Sequence, residues 1–146
     1  MLFRSSVTNA ATVSGGGDVS PANNTASDPT TILAAAPPTA ITGTATSVGI
    51  STATLNGAVD PNGQPTTVQF QYGLTVGYGL VAASPGSFSG TTTQAVSANL
   101  AGLLSGTTYH FRVEATNALG TNAGQDQVFT TLAPIEAWRQ IGRAHV

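Results

Sequence analysis

The chain has 146 residues with a formal net charge of −2, and 7% of its residues are charged, against roughly 25% in an average globular protein. It contains no lysine, and its negative net charge argues against nucleic acid and an anionic membrane surface as partners, because both require clustered cations. It contains no cysteine either, which excludes disulfides, thiolate metal sites and a cysteine nucleophile. No apolar run approaches the roughly 20 residues that span a bilayer, so membrane insertion is not expected.

Both ends of the chain are expected to be sequencing artefacts. Residues 1–5 and 141–146 read Met-Leu-Phe-Arg-Ser and Ile-Gly-Arg-Ala-His-Val. They resemble translations of the two strands of a common short-read library adapter. We therefore exclude them from fold reasoning and expect the chain to be a fragment of a longer protein.

The N-terminal arm, residues 6–33, holds a strand-like run at 7–13 and a second extended piece at 30–33. It resembles the closing strands of a β-sandwich repeat that is common in large bacterial surface proteins. Because such strands cannot bury a core alone, we predict that the arm is mobile. Residues 34–38, with paired prolines, are predicted to be a stiff linker.

Residues 39–133 show short alternating runs separated by turn signals, which predict an all-β, antiparallel β-sandwich of about seven strands. Asp60-Pro61-Asn62-Gly63 is a turn signal, since Asn and Gly tolerate the left-handed region. The runs lie at 53–59, 66–73, 94–100, 108–117 and 125–131. Their inward positions predict a core of Leu55, Val68, Phe70, Val96, Leu100, Leu103, Tyr109, Phe111, Val113 and Phe129.

The segment 100–120, Leu-Ala-Gly-Leu-Leu-Ser-Gly-Thr-Thr-Tyr-His-Phe-Arg-Val-Glu-Ala-Thr-Asn-Ala-Leu-Gly, resembles the region between the fifth and sixth strands of a fibronectin type III-like domain, or immunoglobulin-like sandwich. The resemblance implies a tyrosine corner, in which the Tyr109 hydroxyl bonds to nearby backbone and Leu103 fills the core below it. Phe70 stands where animal members carry tryptophan. Residues 134–140 resemble the start of a C-terminal element of bacterial exported proteins and are predicted to be a truncated stub.

Catalytic chemistry is not predicted. His110 lies at an outward position in mid-strand, and no carboxylate can be placed beside it from the sequence. Glu114 and Arg112 share the outward face and are predicted to form a surface ion pair. Oxygen ligands in the arm lack the spacing of a calcium loop, so we expect no metal and no cofactor; these residues are Asp18, Asn23, Asn24 and Asp28.

Tyr78 and Phe88 are the aromatic residues of the long segment between Gly73 and Gly90. Exposed aromatic rings on a loop would form a platform that stacks on sugars. The alternative is that both rings cover an edge of the sandwich, and this interpretation is favoured because sandwich edges are commonly covered.

The fibronectin type III-like resemblance favours a non-catalytic structural spacer or adhesion module of a multi-domain bacterial protein, extracellular or at the cell surface. Its expected partners are the neighbouring modules of the same polypeptide, and we expect a monomer. A second hypothesis is an accessory module of an extracellular polysaccharide-degrading enzyme that binds glycan through Tyr78 or Phe88. A third is protein–protein contact through the sheet edges.

Overall fold

The computed structural model describes residues 4–12, 25–33, 35–84 and 86–134. The chain divides into a unit of residues 1–35 and a unit of residues 36–146. In the first unit, β1 (Arg4–Thr12) and β2 (Thr25–Leu33) form an antiparallel hairpin in which Arg4 pairs with Leu33 and Thr12 with Thr25. Both strands differ in length from the runs predicted at 7–13 and 30–33. Asp18, Asn23, Asn24, residues 135–140 and the predicted adapter residues 141–146 lie outside the described residues.

The second unit is an antiparallel β-sandwich, which confirms the predicted fold class. One sheet has the order β3-β4-β7, and the other has the order β10-β8-β5-β6 with β9 also paired to β8. No helix occurs among the described residues. The strands are β3 (Thr39–Thr42), β4 (Thr52–Asp60), β5 (Thr67–Gly73), β6 (Leu80–Ala83), β7 (Gln94–Ala101), β8 (Thr108–Asn117), β9 (Gly120–Ala123) and β10 (Gln127–Thr130).

The core lies between the two sheets and follows from strict alternation along the strands. In β8, Tyr109, Phe111 and Val113 are buried, while the residues between them are more exposed. All ten core residues predicted from the sequence are buried. Each large apolar side chain removed from water contributes about 1.5–3 kcal/mol, so this alternation supplies most of the driving force for folding.

Two short strands, β9 and β10, pair with β8 where the sequence predicted a run only at 125–131, so the last strand is interrupted at residues 124–126. β9 pairs with the C-terminal half of β8 and β10 with its N-terminal half. Between them, the Val113 N–H donates to Thr42 Oγ1 at 3.2 Å, and the Val113 carbonyl accepts from Gly124 N–H at 2.9 Å. A Cβ at residue 124 would overlap Thr42. Glycine is therefore required where the strand breaks, and a hydrogen bond links the two sheets there.

Candidate functional site

The outward face of the five-stranded sheet carries a connected set of polar side chains, centred on Arg112. Arg112 Nε donates to Gln71 Oε1 at 2.8 Å. The two carboxylate oxygens of Glu114 accept from Gln69 Nε2 at 2.7 Å and from Gln71 Nε2 at 2.9 Å. The predicted Arg112–Glu114 ion pair is therefore wrong, because Gln71 lies between the two charges and bonds to both.

Asp126 connects this face to the loop after β5. Its Oδ1 accepts from the Tyr78 hydroxyl at 3.0 Å, and its Oδ2 lies 2.8 Å from His110 Nδ1. The expectation that His110 has no carboxylate nearby is thus also wrong. Asp126 reaches it because the interruption of the last strand leaves residues 124–126 outside any strand.

Tyr78 has an unusual backbone conformation, with a φ of 54° that non-glycine residues rarely adopt. The loop that carries it folds back onto β5 so closely that a Cβ on Gly73 would overlap the Tyr78 carbonyl. The Arg112 guanidinium carbon lies 4.8 Å from the centroid of the Tyr78 ring, a cation–π distance. A shallow groove of about 370 Å³ opens here, lined by Gln71, Val76, Gly77, Tyr78, Gly79, Leu80, Val81 and Arg112.

The environment of Tyr78 favours its neutral phenol. Burial raises its pKa above the ordinary value of 10.0, and the hydrogen bond to Asp126 and the charge of that carboxylate raise it further, while Arg112 acts in the opposite direction. Tyr78 therefore serves as a hydrogen-bond donor at neutral pH. In the described parts of the chain, no group of three His, Asp or Glu side chains is placed to hold a metal ion.

Phe88 does not share the surface with Tyr78. Its side chain is 9% exposed and belongs to the core, and its backbone exchanges hydrogen bonds with Thr66 at 2.8 and 3.4 Å. The sequence favoured both rings as covers of a sandwich edge over an exposed platform; Phe88 instead packs in the core, because this bridge to the start of β5 directs the ring inward, and the platform alternative is excluded for Phe88. Of the two sequence candidates, only Tyr78 lines the groove.

Tyr109 and Leu103 occupy the arrangement that the fibronectin type III-like resemblance implies. Leu104 N–H donates to the Tyr109 hydroxyl at 3.0 Å, and the Tyr109 ring stacks on Phe129 at a centroid distance of 5.5 Å. Leu103 is buried beside them in the core. This contact ties the turn before β8 to the body of the sandwich and is structural.

Three asparagine amides hold the N-terminal pole, the end of the sandwich that contains Pro37 and Pro38. The Nδ2 groups of Asn117, Asn62 and Asn122 donate to three consecutive carbonyls, those of Ala36, Pro37 and Pro38, at 2.9, 2.7 and 2.7 Å. Proline has no N–H and cannot anchor itself through a ladder. The side chains therefore fix a segment that the backbone alone could not.

Thr131 holds the C-terminal pole, at the opposite end of β8. Its side chain is buried, and its hydroxyl donates to the Leu104 carbonyl at 2.6 Å while accepting from Thr107 N–H at 2.9 Å. Its backbone N–H donates to the Thr107 carbonyl at 3.0 Å, and Leu132 N–H donates to the Gly49 carbonyl at the same distance. These hydrogen bonds fix the chain where it leaves the sandwich.

Comparison with solved structures supports the fold. The chain is similar to the sensor domain of the anti-sigma factor RsgI4 from Pseudobacteroides cellulosolvens, at 22% identity and a TM-score of 0.53, over 69% of this chain and 100% of that one. A longer version of that sensor domain matches at 21% identity and a TM-score of 0.50, over 66% and 91%. A human fibronectin type III domain matches at 20% identity and a TM-score of 0.46, over 73% and 95%.

At 22% and 21% identity, the likenesses to the two sensor-domain structures show the fold alone. Neither a protein-family model nor a curated protein sequence matches the chain. The strand order and the tyrosine corner agree with the same conclusion: residues 36–134 form a fibronectin type III-like β-sandwich. Among the described residues there is also no helix long and apolar enough to cross a membrane.

Proposed function

We propose that the sandwich is a non-catalytic spacer and interaction module of a large exported bacterial protein, outside the cell or at its surface, joined to neighbouring modules of the same polypeptide. Fibronectin type III-like sandwiches are commonly structural or interaction modules. The observation that carries the proposal is the position of the two chain connections. One lies at the N-terminal pole, held by three asparagine amides, and the other at the C-terminal pole, held by Thr131.

This geometry suits a module that maintains distance. β8 runs between the poles with ten residues, which corresponds to ~33 Å at about 3.3 Å per residue. A load applied to the two connections acts along β3 and β10, parallel to the strands. The ladder between β3 and β4 is then loaded in shear, so its hydrogen bonds must break together rather than one after another.

Force spectroscopy on the full chain tests the proposal. The natural sequence has no cysteine, so Thr39→Cys with Ala133→Cys provides unique attachment points at opposite poles. The matched control is Thr39→Cys with Pro65→Cys, which places both attachments at the N-terminal pole, at an exposed residue just after the turn that is not one of the three anchoring asparagines, and peels the ladder open. We expect a clearly higher unfolding force in the first geometry. Equal or lower force would contradict a load-bearing role.

The glycan-binding alternative now rests on Tyr78 alone, since Phe88 is a core residue. The amide of Gln71 and the guanidinium of Arg112, which line the same groove, are groups that bind sugar hydroxyls. Affinity electrophoresis in soluble polysaccharides tests it with Tyr78→Ala, and Leu119→Ala at an exposed site away from the groove is the control. Retardation that Tyr78→Ala abolishes would support this alternative over a pure spacer.

A further inference from the structure

The free edge of β6 lacks the features that normally prevent strand pairing. β6 is the last strand of its sheet, and within the described sandwich it pairs only with β5. Exposed edges usually carry lysine, proline or a bulge. The four residues of β6, Leu-Val-Ala-Ala, contain none of these, and Leu80 and Val81 are 51% and 57% exposed.

The register shows which backbone groups of β6 are available. Ser84 N–H donates to the Val68 carbonyl at 3.2 Å, and directly bonded pairs recur at every second residue of an antiparallel ladder. Ala82 and Leu80 therefore direct their N–H and C=O groups to β5. Val81 and Ala83 direct theirs away from the sheet. The edge thus offers two donors and two acceptors at the spacing of an additional strand.

The Arg112 guanidinium belongs to the same sheet as this edge, on β8, two strands from β6. Val81, Gln71 and Arg112 are cross-strand neighbours on the outward face of β6, β5 and β8. Arg112 is held on the outward face of the sheet by Gln71, on the strand between β8 and β6, and by the Tyr78 ring. Within the described residues its side chain makes no other hydrogen bond, and no carboxylate lies within 4.0 Å of it. Its remaining N–H groups border the groove beside β6.

We propose that the free edge of β6 binds an extended peptide segment as an additional strand, and that an acidic side chain of this segment pairs with Arg112. The free groups of Val81 and Ala83 supply the backbone bonds, and the guanidinium supplies charge selectivity. A second copy of β6 fits less well, because it has no carboxylate and two four-residue strands bury far less than the about 1,200 Å² of a stable interface. This inference rests on the interaction role proposed above, for which it names a partner class, and it does not depend on the load-bearing role.

The test measures binding of a short fluorescent peptide, alternating threonine and valine around a central glutamate, to the full chain by anisotropy. Val81→Pro removes an N–H that points away from the sheet and leaves the bonds to β5 intact, while Val81→Thr is the matched control. We expect Val81→Pro to weaken binding at least about tenfold, from the loss of a strand bond and the steric block of the proline ring, and Val81→Thr to change it less than about twofold. Ala83→Pro, the second outward position, should repeat the loss.

Charge selectivity is tested with a peptide that carries glutamine in place of glutamate. It should bind wild type about fivefold more weakly, and this difference should vanish in Arg112→Gln. NMR amide shifts at Val81 and Ala83 should change on peptide addition. No binding at millimolar peptide, equal binding by Val81→Pro, or shifts confined to other strands would overturn the proposal. If a polysaccharide displaces the peptide and Val81→Pro binds the peptide as well as wild type does, the groove is a glycan site. If the chain self-associates and Val81→Pro abolishes this self-association, the edge binds a second copy of the chain.

Discussion

Asn117 is expected to be the most important of the three amides at the N-terminal pole. Its side chain is 9% exposed and makes three hydrogen bonds. Its Nδ2 donates to the carbonyls of Ala36 at 2.9 Å and Pro61 at 3.4 Å, and its Oδ1 accepts from Leu119 N–H at 2.8 Å. Two well-formed bonds contribute ~1 kcal/mol each, and burial of the groups left without partners adds a further ~1–2 kcal/mol.

Asn117→Ala should therefore lower the free energy of unfolding by about 2–4 kcal/mol, measured by urea denaturation followed by circular dichroism. Asn122→Ala is the control, because its side chain is exposed and loses a single bond to the Pro38 carbonyl, at a cost of about 0.5–1 kcal/mol. The reasoning fails if Asn117→Ala stays within ~0.5 kcal/mol of wild type, or if Asn122→Ala costs more.

Three further predictions concern the opposite half of the sandwich. Tyr109→Phe removes the acceptor for Leu104 N–H and should cost about 1–2 kcal/mol in urea unfolding without changing the NMR pattern of the core. Gly73→Ala should displace the loop that carries Tyr78, because the new Cβ overlaps the Tyr78 carbonyl, and amide shifts throughout the loop should report it. Because folding raises the pKa of Tyr78, its contribution to the free energy of unfolding is fully present below the pKa of an unfolded tyrosine and is lost as pH rises through the pKa in the folded state. Asp126→Asn removes the carboxylate that raises this pKa, so difference absorbance, with Tyr78→Phe as the reference, should show a lower Tyr78 pKa in that variant.

Local patterns were sufficient to predict the core and one turn. The alternation of Tyr109, Phe111 and Val113 needs no knowledge of the partner strand, since side chains of a strand point to opposite faces at every second residue. The Asp60–Gly63 turn was predicted for a similar reason. Asn62 and Gly63 have φ values of 52° and 82°, which their residue types tolerate.

Contacts that depend on register could not be predicted in this way. Gln71 separates Arg112 from Glu114 only because β5 pairs with β8 so that Gln71 faces Arg112. His110 and Asp126 meet only because the last strand is interrupted between β9 and β10. The sequence therefore paired Arg112 with Glu114, two residues away, and missed the pair of His110 and Asp126, which lie sixteen positions apart.

The roles of Phe88, Asn117 and Asn122 could not be predicted because they depend on contacts with segments distant in sequence. Phe88 lies in a segment rich in serine and glycine, which indicates an exposed loop, yet its backbone bridge to Thr66 directs the ring into the core. Asn117 and Asn122 are ordinary turn residues by type. Their function as donors to Ala36 and Pro38 depends on where the preceding linker runs, and no local pattern carries that information.

The hydrogen bond between Thr42 and Val113 has a consequence for the rate of folding. It joins residues 71 positions apart and lies between two sheets, so it forms only after both sheets have assembled and docked. Long-range pairings of this kind place all-β sandwiches among the slower-folding small domains, in the range of milliseconds to seconds. Because the bond is absent until late, its loss in Thr42→Val would leave the folding rate nearly unchanged and accelerate unfolding. We therefore expect this bond to prolong the lifetime of the assembled sandwich mainly by slowing its unfolding.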